Sequence, residues 1–433
     1  MAFEKRIISQ QGITVIQKRD PALTPLRPGK VAIVLAGGAV AGGGYKAGGL
    51  QALQEVFSHR RGSDGVTRAF GLNDFDIFVG LSAGSVLASV LAAGISADEV
   101  IRILEGTSTR YSAFRPWHFM SPNVREPPER MLMYLEKQQE ILTNYLSGAT
   151  DPRTGDSFSL RETLIKMTTI LTRVVPTGFF DVAALEKYLR ENMERNGIPN
   201  DFGELHRKTG KELYMSATDV NRGELVVLGP GEPYGQVPIS EAVAASSALP
   251  LWYRTCRVQN PRRNEERESE FLDLADGGIM RTANVRVAIE KGAELVICYN
   301  PFNRILYDRA GRSLYEHGAY ALMNQIGRIL IGARLDIAKE LVFASDVFDA
   351  DVVFVEPAAD DYYFFLMNPL NFWSKERAAL HGYQSVRGAL EANHDILSEV
   401  FRAHGIELRA RSPKGPRSAS PQHVDLRESR GAG

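Results

Sequence analysis

The stretch "FDIFVGLSAGSVLASVLAAG", Phe75 to Gly94, decides between a membrane span and a buried strand-turn-helix unit. A span needs about 20 predominantly apolar residues in one run. Here glycine, alanine and serine fill the run, and Gly80-Leu81-Ser82-Ala83-Gly84 breaks it near its start. The pattern predicts a short buried strand, a tight turn at Ser82, and a helix over Ala83–Ala93. G-x-S-x-G in that position is the layout of a nucleophile elbow, with the serine held on a strained turn. Gly80 and Gly84 remove side chains that would collide with strand and helix, and the helix N-terminus favours negative charge at the hydroxyl. The plain alternative is a turn serine with no chemistry.

Upstream, "KVAIVLAGG" is a β-branched apolar run without alternation, which suits a strand buried on both faces. The glycine-rich "AGGAVAGGGYKAGG" follows, then apolar residues at helical spacing, so a helix is expected from near Tyr45. The β-α-β-α order implies right-handed crossovers and a doubly wound sheet. As a dinucleotide loop, the glycines would need G-x-G-x-x-G and an acidic residue about 20 positions on. Glu55 and Asp64 match that poorly. As an oxyanion hole, Gly37, Gly38 and Ala39, with Ala83 of the elbow, would offer backbone N–H groups to a developing charge. Gly42 and Gly43 complete the motif.

Further along, "LADGG" places Asp276 at a strand end before Gly277 and Gly278. An Asp-Gly turn is common by itself. With the elbow and the loop, Asp276 becomes a general base able to accept the Ser82 proton directly. A histidine between them is the commoner arrangement. Of the eight histidines, His317 has the chain order for a triad but lies in a polar stretch.

Residues of about 110–200 read as a mostly helical insertion, either a lid or extra packing. Met131, Leu132, Leu135, Ile141, Leu142 and Leu146 form an apolar stripe within it, and Asp181 and Gly197 are expected to bound another helix. Strands return at "ELYMSATDV", "ELVVLG", "FLDLADGG", "AELVICYNP" and "DADVVFVEP", and a last helix is expected near Glu376–His404. The expected divisions are an N-terminal segment (1–30), a catalytic domain (31–301), a further part packed on it (302–408), and a polar, disordered tail (409–433).

The chain's 433 residues are 44% hydrophobic and 24% charged, with a formal net charge of -1. That balance gives no support to nucleic-acid binding. Cys256 and Cys298 lack paired spacing, so neither a disulfide framework nor a thiolate metal site is expected. No cofactor and no metal are expected either. The N-terminus has charge throughout and no apolar signal core, which points to a cytoplasmic protein.

A glycine-rich loop after the first strand, G-x-S-x-G on the next, then "ASSALP" and "DGG", together resemble the patatin-like phospholipases from about Val31 to Pro301. The resemblance implies a three-layer α/β/α sandwich with a mainly parallel sheet. It also implies a Ser-Asp dyad that hydrolyses acyl esters of lipids, with Ser82 as nucleophile and Asp276 as its aspartate. This chain departs from the family's usual G-G-G-x-[KR]-G: Val40 and Ala41 stand where the basic residue would fall, and Lys46 comes later. Thr282 and Asn284 stand near where the family often has Asn and Pro, and Asn284 is expected to cap the next helix.

A lipid substrate needs an apolar route. The Met131–Leu146 stripe and "DYYFFLMNPLNFW", Asp361 to Trp373, are the expected walls. The second, rich in aromatics, is read either as core filling or as a peripheral contact with a membrane. The alternatives to an enzyme are a non-catalytic lipid-binding protein of the same fold and a nucleotide-binding protein.

Overall fold

The computed structural model describes residues 5–20, 28–62, 64–147, 160–170, 174–266, 268–302, 313–359, 361, 363–364 and 372–411, without the side chains of 162, 169, 317, 319 and 320. In chain order the first strands are β1 (Arg6–Gln10), β2 (Ile13–Gln17), β3 (Lys30–Leu35), β4 (Phe57–Arg61), β5 (Thr67–Ala69), β6 (Ile77–Gly80) and β7 (Gly178–Phe180). They are followed by β8 (Glu212–Asp219), β9 (Glu224–Leu228), β10 (Leu251–Tyr253), β11 (Cys256–Gln259), β12 (Phe271–Asp276), β13 (Ala293–Tyr299), β14 (Asp351–Val355) and β15 (Ile406–Leu408). The helices are α1 (Ala39–Val56), α2 (Ala83–Ala92), α3 (Ala97–Glu105), α4 (Glu126–Leu146), α5 (Leu160–Ile170) and α6 (Ala183–Arg195). After them come α7 (Phe202–Thr209), α8 (Ile239–Ser246), α9 (Val285–Glu290), α10 (Gly318–Ala344), α11 (Lys375–Ala392) and α12 (His394–Ala403).

The main sheet runs β1-β2-β14-β13-β3-β6-β8-β12-β11, with β9 also on β8. Its middle, β14-β13-β3-β6-β8, is parallel. Antiparallel strands finish both ends. Side chains alternate along each strand, so one sequence serves two cores. Val31, Ile33 and Leu35 of β3 pack with residues of α1, α2, α8 and α12 on one face. Ala32 and Val34 pack with α9 and with Leu335 and Val342 of α10 on the other. The result is the expected sandwich: helices, a mainly parallel sheet, helices. Two small sheets, β7-β10 and β15-β4-β5, lie outside it.

Two expectations change. The glycine-rich segment becomes helix from Ala39, six residues before Tyr45. Glycine weakens an isolated helix, but here close packing compensates: Cβ atoms on Gly44 and Gly48 would run into the backbone of Lys375 and Ala379 in α11. The last helix is two helices, broken at Asn393. The segment before residue 30 contributes β1 and β2 to the main sheet. The Phe75–Gly94 stretch forms β6 and the ten-residue α2. No helix among the described residues is long and apolar enough to cross a membrane.

Candidate active site

β8 brings the two sequence candidates together. Its edge facing away from β9 is shared by β6, paired to residues 212–215, and β12, paired to residues 217–219. β6 runs parallel to β8 and β12 antiparallel, so their C-terminal ends meet head-on, Gly80 opposite Met215 and Asp276 opposite Ala217. Ser82 lies two residues beyond the end of β6. The Ser82 hydroxyl lies beside the Asp276 carboxylate and favours its anion, and the carboxylate accepts from the Gly278 amide at 2.8 Å.

Ser82 has φ +52° and ψ -129°, a strained conformation for a side-chain-bearing residue, and it starts α2. Its own amide donates to Ser246 Oγ at 2.9 Å. The Ser85 hydroxyl and amide both close on its carbonyl, at 2.6 and 2.8 Å. Tight packing explains the glycine at 84, where any Cβ would strike the Leu35 and Ala36 carbonyls. Ala39, at φ +50°, and Leu251, at φ +71°, are two more non-glycine residues in the left-handed region, and both line the same cleft as Ser82.

The loop before α1 is short: Ala36, Gly37, Gly38. Gly42 and Gly43 are in the first turns of the helix, and the Gly42 amide is spent on the Gly38 carbonyl at 2.8 Å. Gly37, Gly38, Ala39 and Ala83 border the cleft beside Ser82. Lys46, fully buried, reaches back from α1, and its ammonium donates to the Ala36 carbonyl and to that of Gly37 at 3.1 Å. Burial pushes the Asp276 carboxyl up to about 6, against the Ser82 hydroxyl, the Gly278 amide and the Lys46 charge, which all favour the anion. Burial likewise brings Lys46 down to about 7, with Asp276 opposing.

The cleft holds about 1000 Å³ and is overwhelmingly apolar. Its walls include Val86 and Val90 of α2, Ile103 of α3, and Leu185, Tyr188 and Leu189 of α6. At its mouth Phe179, Leu251 and Trp252 are 69%, 76% and 38% exposed. The insertion thus reaches the cleft through α6 and residues 111–119. The Met131–Leu146 stripe does not line it, and Met131, Leu132, Leu135 and Leu146 face solvent. Most of "DYYFFLMNPLNFW" lies outside the described residues. Of the rest, Phe364 is buried against Tyr45 and Trp373 is 75% exposed.

Among the described residues no histidine lines the cleft. The His317 side chain lies outside them. Asn284 precedes α9 without capping it through its side chain, which donates to Ser216 Oγ instead. Ser246 and Lys46 are two polar neighbours of Ser82 and Asp276 to which the sequence pattern assigned no role. "ASSALP" was a signal for the first. For the second, the only trace was a lysine among glycines and small residues.

Three solved structures resemble this chain at low identity. VipD from Legionella pneumophila is 16% identical with a TM-score of 0.34, over 90% of this chain and 71% of that one. Human GIVD cytosolic phospholipase A2, in complex with methyl gamma-linolenyl fluorophosphonate, is 12% identical with a TM-score of 0.36, over 88% and 60%. The type III effector ExoU is 15% identical with a TM-score of 0.29, over 92% and 56%. The chain therefore spans less than two thirds of the length of the last two. No curated protein matches the chain. The family model described as patatin-like phospholipase matches residues 33–289, more than half of the chain, and the chain belongs to that family.

Proposed function

We propose, with membership of the patatin-like phospholipase family as the premise, that this protein cleaves acyl esters of lipids through an acyl-enzyme on Ser82. Asp276 takes the hydroxyl proton as Ser82 Oγ attacks the ester carbonyl. The amides of Gly37, Gly38, Ala39 and Ala83 hold the resulting oxyanion, with the α2 N-terminus adding its dipole. The tetrahedral intermediate collapses, Asp276 returns the proton to the departing alcohol, and the acyl group stays on Ser82. Water then gives its proton to Asp276 and attacks the acyl carbon, and collapse releases the fatty acid and restores the Ser82 hydroxyl.

The observation that carries this reading is the placement of Ser82 beside the buried Asp276 carboxylate within an apolar cleft of about 1000 Å³. A pair of buried polar groups facing that much apolar wall suits a substrate with a long hydrocarbon chain and one reacting ester. The exposed Phe179, Leu251 and Trp252 at the mouth support entry of the chain from a lipid surface.

Ser82→Ala and Asp276→Asn are each expected to lose hydrolysis of a p-nitrophenyl ester, and Ser82→Ala to lose labelling by a fluorophosphonate. Normal turnover in either variant refutes the dyad. Leu251→Asp combined with Trp252→Asp is expected to weaken sedimentation with phosphatidylcholine vesicles while p-nitrophenyl butyrate is still cleaved. Undiminished sedimentation removes the mouth from the lipid contact.

A further inference from the structure

Lys46 holds two consecutive carbonyls, those of Ala36 and Gly37. A trans peptide is planar, and its C=O and N–H point in opposite directions. The Ala36 carbonyl shares its plane with the Gly37 amide, and the Gly37 carbonyl shares its plane with the Gly38 amide. An ammonium that pins both carbonyls toward α1 therefore turns both amides away from it, toward the cleft that Gly37 and Gly38 line. Gly37 is also next to the nucleophile: a Cβ built on it would lie 3.4 Å from Ser82 Cβ.

We propose that Lys46 is a positioning residue that clamps the 36–37 and 37–38 peptides so that their amides face the oxyanion formed at Ser82. The segment Gly37–Gly44 contains no basic residue, so the clamp supplies from behind the loop a cation that the loop itself lacks. The inference rests on the reading of Ser82 as nucleophile. A fully buried lysine is costly unless its donors are met and its charge is answered. Both conditions hold here: two carbonyls accept from it, and Asp276 at the end of β12 faces it. The other titratable group facing Lys46 is Cys298 of β13, whose thiol burial keeps neutral. Asp276 in turn faces Lys46, Ser82 and the Gly278 amide.

The test compares wild type with Lys46→Met, which keeps length without charge or donor, and Lys46→Gln, which keeps an N–H donor without charge. Thermal unfolding, steady-state hydrolysis of p-nitrophenyl butyrate and the rate of fluorophosphonate labelling are measured for each across pH. Lys46→Met is expected to lose about a hundredfold in both kcat and labelling rate, as for removal of an oxyanion donor. Its KM should stay within about threefold, because ground-state binding is untouched. Lys46→Gln should retain more of the rate. In both variants the acid limb should move to higher pH, since Asp276 loses a cation that favoured its anion.

A Lys46→Met protein that melts earlier, yet below its melting temperature labels within about threefold of wild type with the acid limb in place, overturns the clamp and leaves a structural lysine. Should Lys46→Met fail to fold, Lys46→Gln decides by the same two criteria. Wild-type protein that takes up no probe overturns the Ser82 reading and the clamp with it, whereas labelled wild type with unaltered variants overturns the clamp alone.

Discussion

In the proposed dyad Asp276 must be an anion to take the Ser82 proton, and its burial makes that harder than for a surface carboxylate. With the carboxyl raised to about 6, kcat/KM for a soluble ester should fall as pH drops through about 6. The sign follows from the base role: protonation below that value removes the acceptor. A pH–rate profile flat down to pH 4 removes Asp276 from the reaction. At this scale the placement of Ser82 and Asp276 at or just after strand ends was legible, because each sits in a short motif. Lys46 was not. The carbonyls it serves are nine and ten residues back, and only the helical turn of α1 brings its ammonium to them.

The same helix shows what local pattern conceals. Glycine's low helix propensity, about 1 kcal/mol below alanine, makes "GGAVAGGGYKAGG" read as loop. Its partner α11 lies more than 300 residues away in the chain and gives no local signal. The two helices cross where side chains are smallest, with Gly48 at the backbone of Ala379 and Gly382 at that of Tyr45. Gly48→Ala should therefore destabilise by about 1–3 kcal/mol through overpacking, despite the better propensity. Gly388, exposed on α11 with nothing near its added Cβ, should do the reverse when replaced by alanine, gaining about 0.5–1 kcal/mol. Chemical denaturation of the two variants checks both signs. The Met131–Leu146 stripe misled for a related reason: helical periodicity marks an apolar face and does not say what that face meets.

Across the molecule, the parallel middle of the sheet was readable from buried β-branched runs, as were β9 and β12, while β1, β2 and β11 were not. β1 and β11 are short and partly exposed, so neither carries the buried apolar run that marks the middle strands. The cleft draws its walls from α2, α3, α6 and the mouth strands, segments brought together only by the completed fold. Leu189→Trp, from the α6 wall, should lower the preference for a 16-carbon over a 4-carbon ester by about tenfold, since a lost acyl contact is worth 1–3 kcal/mol or so. Competition between the two esters measures it. At the far end of the sheet His404 bonds to Asp351 at 2.7 Å, both fully enclosed, and Asp351 also accepts from the amides of Lys18 and Arg19. His404→Ala should cost about 1–3 kcal/mol, read as a lower unfolding midpoint.

The head-on meeting of β6 and β12 makes turnover a gauge of strand alignment. Side chains change face at every residue along a strand, so β12 slipped by one position would present Ala275 or Gly277 to Ser82 and turn the carboxylate to the opposite layer. Deleting one residue within β12 should silence hydrolysis in a sheet that still assembles. Lengthening the connection between Gln259 and Phe271 should leave hydrolysis intact, because the hairpin can grow there without moving Asp276 along β8.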